Sequence, residues 1–176
     1  MPEAVNATVG ALLGFLRQGP LTGYQLAAQA QERIGGYWTV TRSQVYRELA
    51  TMADKGLVRR GPTGARDSQP YALTRAGRAA FAAWMAREPE PENLRIPLLL
   101  RLAFIDALDR DKLRTVLARH REEHAARLVA YEQRAGALAE AGVPEEQWLP
   151  LRFGIRYERA ALEWFSELPP DLRPRG

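Results

Sequence analysis

Two sets of side chains are spaced for chemistry. His120 and His124 bracket "HREEH", which reads as H-x-x-E-H, a pattern in which two histidines one helical turn apart bind zinc. A catalytic zinc needs a third protein ligand, and with only 2 histidines in the chain that ligand would be a carboxylate from elsewhere. The second set is cationic and polar. Arg47, Arg59, Arg60 and Arg66 fall between Val40 and Thr74, together with Thr41, Arg42, Ser43, Gln44 and Tyr46. Guanidinium groups, hydroxyls and amides at this density suit the phosphate oxygens and base edges of nucleic acid. No Gly-rich phosphate loop, Ser-His-Asp set or carboxylate pair in a predicted cleft is visible, so neither an enzyme nor a cofactor is expected.

Positioning the second set requires a helix, and the sequence writes helix starts twice in the same chemistry. In "LTGYQLAAQAQERIGG" Thr22 is an N-cap, Gln25 completes a capping box, and Leu21 staples onto Leu26. In "VTRSQVYRELATM" Thr41 caps, Gln44 completes the box, and Val40 staples onto Val45. Gly56 stands at the C′ position with Leu57 packing back on Met52, which predicts a third helix from about Arg42 to Lys55. Val5, Val9, Leu12, Leu13 and Leu16 mark a first helix, stopped at "RQGP". Leu57 to Arg60 and Tyr71 to Leu73 read as hairpin strands around "GPTGARDSQ", and Thr74 caps a fourth helix through Met85. Helix, helix, helix, hairpin, helix is the order of a winged helix-turn-helix.

With Val45 at the centre of the buried stripe, about 100° of rotation per residue sends Ser43, Arg47 and Asp54 to the far side, flanked by Gln44 and Thr51. The predicted docking face is therefore Thr41, Arg42, Ser43, Gln44 and Arg47, with the Tyr46 hydroxyl reaching outward. A major groove admits one helix, and Arg66 at the wing tip is placed to reach a neighbouring groove. Arg59 and Arg60 alternate across their strand, so one faces the duplex and the other away.

"REPEPEN", from Arg87 to Asn93, interrupts the helical pattern and sets the boundary between a domain at residues 1–86 and one at 94–176. In the second, helices are predicted over about Leu94 to Leu108, Arg110 to Ala141, and Pro144 to Leu168, with Asp109 capping the middle one and Gly142 ending it. The middle helix carries an apolar seam from Leu113 through His120, His124 and Tyr131 to Leu138, a placing that favours packed histidines over metal ligands. The last helix has one apolar face at Trp148, Leu151, Ile155, Leu162 and Phe165 and another at Leu149, Phe153, Tyr157 and Trp164. Two dry faces need two neighbours: a symmetry mate as the second gives a C2 homodimer whose paired recognition helices would read a palindromic operator in double-stranded DNA, the alternative being a compact monomer that buries both faces internally. Among the tryptophans, Trp84 and Trp148 are the candidates for a pocket holding a flat aromatic effector.

Composition narrows the setting. The chain has 46% hydrophobic residues, enough to bury a core, and no cysteine, which removes disulfides and thiolate metal sites. Its net charge of +4 is uneven: residues 1–86 are net +5 and residues 87–176 net −1, so a polyanionic partner belongs to the first half. No window reaches the apolar length of a membrane span, and the opening stretch lacks a basic n-region, so a cytoplasmic protein is expected.

The stretch from Ala11 to Arg60 and then "YALTRAGRAAFAAWM" closely resembles the N-terminal domain of PadR-type transcriptional regulators. The likeness is carried by Gly19-Pro20-Leu21 leading to Gly23-Tyr24, by Gln44-Val45-Tyr46-Arg47, by Gly56-Leu57-Val58, and by "LT" with Gly77 after the wing. It continues more weakly into "LRFGIRYERAALEWFSEL", similar to the last helix of the longer-tailed members. The resemblance implies a mostly α protein, with a winged helix-turn-helix domain followed by an all-helical dimerisation domain. It also implies a homodimer that usually represses a nearby promoter, in a family whose members respond to phenolic acids or planar aromatic drugs, and an effector is expected to enter near the junction of the domains. It assigns DNA contact to Tyr24, Ser43, Gln44, Tyr46 and Arg47. The wing departs from the family's Arg-rich wings, having Arg66 beside Asp67. Two other readings stand against it: a winged helix that docks onto a protein, and a zinc-dependent hydrolase built on "HREEH".

Overall fold

The computed structural model of the chain describes residues 5–63, 69–92 and 94–173. It divides into two compact units, residues 1–91 and 92–176. Both are mostly helical, and the described residues form one small sheet, in the first unit.

The first unit opens with α1, Ala7–Phe15, capped by the Asn6 carboxamide, which accepts from the Val9 N–H at 2.8 Å. A 3-10 turn over Leu16–Gln18 leads into β1, Leu21–Thr22, and α2, Gly23–Arg33. After a turn come α3, Arg42–Asp54, then β2, Val58–Arg60, β3, Pro70–Leu73, and α4, Arg75–Met85. The strands are antiparallel in the order β1-β3-β2, in a register that pairs Leu21 with Tyr71 and Arg59 with Ala72. Leu12 and Leu13 of α1, Leu26 of α2, and Val45, Leu49 and Met52 of α3 are buried in one core. Burying each such side chain contributes about 1.5–3 kcal/mol. This triangle of helices fixes which side of α3 is left outside.

Local signals set the ends of these elements. Thr22 and Gln25 make the full capping box, whereas Thr41 accepts from the Gln44 N–H at 3.2 Å without the predicted return bond from the Gln44 side chain. Gly56 adopts φ +68°, and the N–H groups of Leu57 and Gly56 reach the carbonyls of Met52 (2.8 Å) and Ala53 (3.0 Å). This is the Schellman arrangement, open to glycine because a Cβ is disfavoured at that φ. Gly142 closes the long helix of the second unit the same way.

In the second unit α5, Pro97–Leu102, and a 3-10 turn at Ile105–Ala107 precede α6, Arg110–Glu140, and a further 3-10 turn, Glu145–Trp148, leads into α7, Leu149–Glu167. α6 packs along α7 over a core of Leu113, Leu117, Phe165, Leu168 and Leu172, joined by Leu98 of α5. The predicted helix from Leu94 to Leu108 is thus replaced by six residues and a turn. Pro97 takes the first helical position and forces Ile96 to an extended φ of −116°, and Phe104 leaves helical geometry at φ −121°, ψ 41°. The last helix likewise begins at Leu149, because Pro144 is extended and only a tight turn follows it. Among the described residues, no helix is long and apolar enough to cross a membrane.

Candidate nucleic-acid interface

The polar side of α3 is open. Thr41, Arg42, Ser43 and Arg47 are exposed, Gln44 is half-buried, and Val45 behind them is fully buried. Ser43 and Arg47 are four residues apart and share one face. Among the described residues Arg42 and Arg47 have no carboxylate partner, so both guanidinium groups keep their charge available.

Two contacts bring the beginnings of α2 and α3 together. The Tyr46 ring lies on Gly23, the first residue of α2, where a Cβ would fall 2.4 Å from Cε1 of the ring. Only a residue without a side chain allows that approach. Beside it the Arg42 guanidinium stacks 5.1 Å above the Tyr24 ring, a cation–π contact that holds a long side chain in place. Tyr24 is 61% exposed and Tyr46 46%, so each ring combines a packed edge with a free one. Two helix N-termini meet here, both capped by threonine, and their aligned dipoles add positive potential to that of the two arginines. The arrangement suits a phosphate backbone crossed by α2 and a groove entered by α3.

The wing is described only in part. Arg59 and Arg60 are both exposed and stand on opposite faces of the sheet, Arg59 across from Ala72 and Arg60 across from Tyr71. Arg66 and the rest of the wing tip lie outside the described residues.

Trp84 and Trp148 fall in different units, and each has its own packing. Trp84 lies against Gly10 of α1 and 6.0 Å from the Phe81 ring, half-buried. The Trp148 indole N–H donates to the Val143 carbonyl at 3.2 Å.

The histidine motif is drawn into an ion cluster that inspection of the sequence alone passed over. Glu158 of α7 is 4% exposed and accepts from Nε of Arg127 at 2.9 Å. His124 Nδ1 contacts the same carboxylate and lies 2.9 Å from Nη2 of Arg127, while the nearest charged partner of His120 is Glu123 at 3.7 Å. Among the described residues no group of three or more His, Asp or Glu side chains is placed to hold a metal ion. The signal was present: Leu151, Ile155, Glu158, Leu162 and Phe165 recur at three- and four-residue steps, setting an acid on an apolar stripe.

Comparison with known proteins places the chain among transcriptional regulators. The family model for the PadR-like transcriptional regulator family matches residues 12–83, and the one described as virulence activator alpha C-term matches residues 94–172. The Bacillus subtilis negative transcriptional regulator PadR is 33% identical over 106 residues, 58% of this chain and 58% of that protein, so the match spans little more than half its length. Its crystal structure with operator DNA superposes with a TM-score of 0.73 at 26% identity, over 90% of this chain and 95% of that one. Its structure with p-coumaric acid does so with a TM-score of 0.66 at 26% identity, over 89% of each chain. A probable transcriptional regulator of Mycobacterium tuberculosis is 30% identical over 94% of this chain and 97% of its own length, and with that agreement along both halves the chain belongs to the PadR-like family of transcriptional regulators.

Proposed function

We propose that the protein is a homodimeric, sequence-specific DNA-binding regulator that represses transcription from a palindromic operator and is released by a small aromatic acid. The observation that carries the reading is the joining of α2 and α3 at their N-termini, through Tyr46 on Gly23 and Arg42 on Tyr24, which leaves Ser43, Gln44 and Arg47 outward on one exposed, positively charged edge. In this reading Tyr24, Thr41 and Arg42 meet phosphates, Ser43, Gln44, Tyr46 and Arg47 enter the major groove, and Arg66 touches the backbone from the wing. Support for DNA as the partner comes from the Bacillus relative solved on its operator, and support for an aromatic acid from its p-coumaric acid complex. That relative is a negative transcriptional regulator, which supports repression. Trp84 and Trp148 remain the proposed aromatic surfaces for an effector.

Tyr157 and Trp164 of the second apolar face of α7 pack within the unit, against His124 and Phe165, and the exposed part of that face at its N-terminal end supports the dimer. Leu149 is 54% and Phe153 64% exposed, whereas Phe165 on the other face is buried against α6. A two-fold mate covering that face gives paired recognition helices. The test is footprinting of the purified protein on the DNA flanking its own gene. A protected pair of symmetry-related half-sites about 10 bp apart is expected. Protection of a single unpaired site, or of none, would overturn the proposal. Added p-coumaric acid should release the footprint, and a promoter fusion should gain activity when the gene is deleted.

A further inference from the structure

A second cationic site lies in the first unit, apart from the edge just described. The turn at residues 16–20, the β3 residues Ala72 and Leu73, and Arg78 of α4 surround an open cleft of about 470 Å³. Arg17 and Arg78 both line it, and no acidic side chain does. Neither arginine has a carboxylate partner among the described residues. Both are held in place by uncharged groups: the Arg17 guanidinium rests 5.1 Å above the Phe81 ring, and Nη1 of Arg78 donates to the Leu73 carbonyl at 3.3 Å.

Uncompensated cations that share a recess repel one another, and an oxyanion between them removes that cost. A guanidinium offers a rigid fork of donors that matches phosphate or carboxylate, and the one bond Arg78 spends on Leu73 leaves most of its donors free. The shape argues for a small ligand. A duplex backbone is met by side chains free to extend toward it, whereas these two are tethered beside an open recess, one on a ring and one to a carbonyl. The volume falls within the roughly 300–1,000 Å³ of small-molecule sites. We propose that this cleft binds a small molecule bearing two oxyanion groups, phosphate or carboxylate, one on each guanidinium.

Calorimetric titration of the whole chain with inorganic pyrophosphate and, separately, with succinate at fixed ionic strength tests the site and tells the two chemistries apart. Saturable binding of one or both probes is expected, at one per chain. It should weaken by about tenfold or more in Arg17→Gln/Arg78→Gln and clearly in Arg78→Gln alone, whose side chain packs on no ring. Arg47→Ala should leave it unchanged, which separates this cleft from the proposed DNA face. Failure of both probes to bind, binding equal in the double variant, or a double variant deficient only in DNA affinity would overturn the proposal, the last by making the two arginines nucleic-acid contacts.

Discussion

Arg47 and Arg42 stand a little over one turn apart on α3 and yet should behave differently. Arg47 projects from the middle of the exposed face, so Arg47→Ala should cost about 1–3 kcal/mol of operator affinity and relax preference at one base position, read by binding to a panel of single-base operator variants. Arg42 is tied to Tyr24 at the edge, so Arg42→Ala should weaken all sequences alike and lower the salt dependence by about one phosphate contact. In the second unit, Glu158→Ala leaves the Arg127 and His124 partners facing a buried void. It should lower stability by about 1–3 kcal/mol in a denaturant titration, more than Glu158→Gln, which keeps an acceptor there. The exposed face of α3 was legible in the sequence because it follows from rotation about a single helix. The Arg42 stack on Tyr24 was not, because it joins residues 18 positions apart and exists only once α2 and α3 have docked.

At the scale of elements, what the sequence announces is what neighbours along the chain can decide. The threonine caps at Thr22, Thr41 and Thr74 and the Gly56 turn involve contacts within a few residues, and all four form as predicted. β1 escaped notice because Leu21–Thr22 is a strand only by pairing with β3, nearly 50 residues on, and its composition is that of a staple and a cap. α5 was overextended because the apolar run Ile96 to Leu108 outweighed Pro97 in the periodicity. Two substitutions probe how elements carry the site. Gly23→Ala should push Tyr46 off the start of α2, costing about 1–3 kcal/mol of stability by overpacking. Because the joined N-termini come apart, it should reduce operator affinity as well, a coupling that melting curves and titrations on the same preparation can check. Thr41→Ala should cost only about 1 kcal/mol of stability, as the loss of one cap with the packing of α3 intact.

For the whole molecule, the reading depends on two copies acting together. Phe153→Glu places a charge on the exposed face of α7 and should convert a dimer to a monomer in sedimentation, with affinity for a full palindrome collapsing toward that for one half-site. The uneven charge of the chain, net +5 over residues 1–86, explains where a polyanion is met but not which sequence is chosen. In the proposed reading, choice rests with Ser43, Gln44 and Arg47 of α3. The most direct measurement is therefore an equilibrium titration of the footprinted operator against a scrambled duplex over roughly 50–200 mM salt. The account predicts that operator affinity falls linearly on logarithmic axes, with a slope worth several phosphates, while the scrambled duplex binds about a thousandfold more weakly. Affinity that ignores salt, or is equal on the two duplexes, would contradict it.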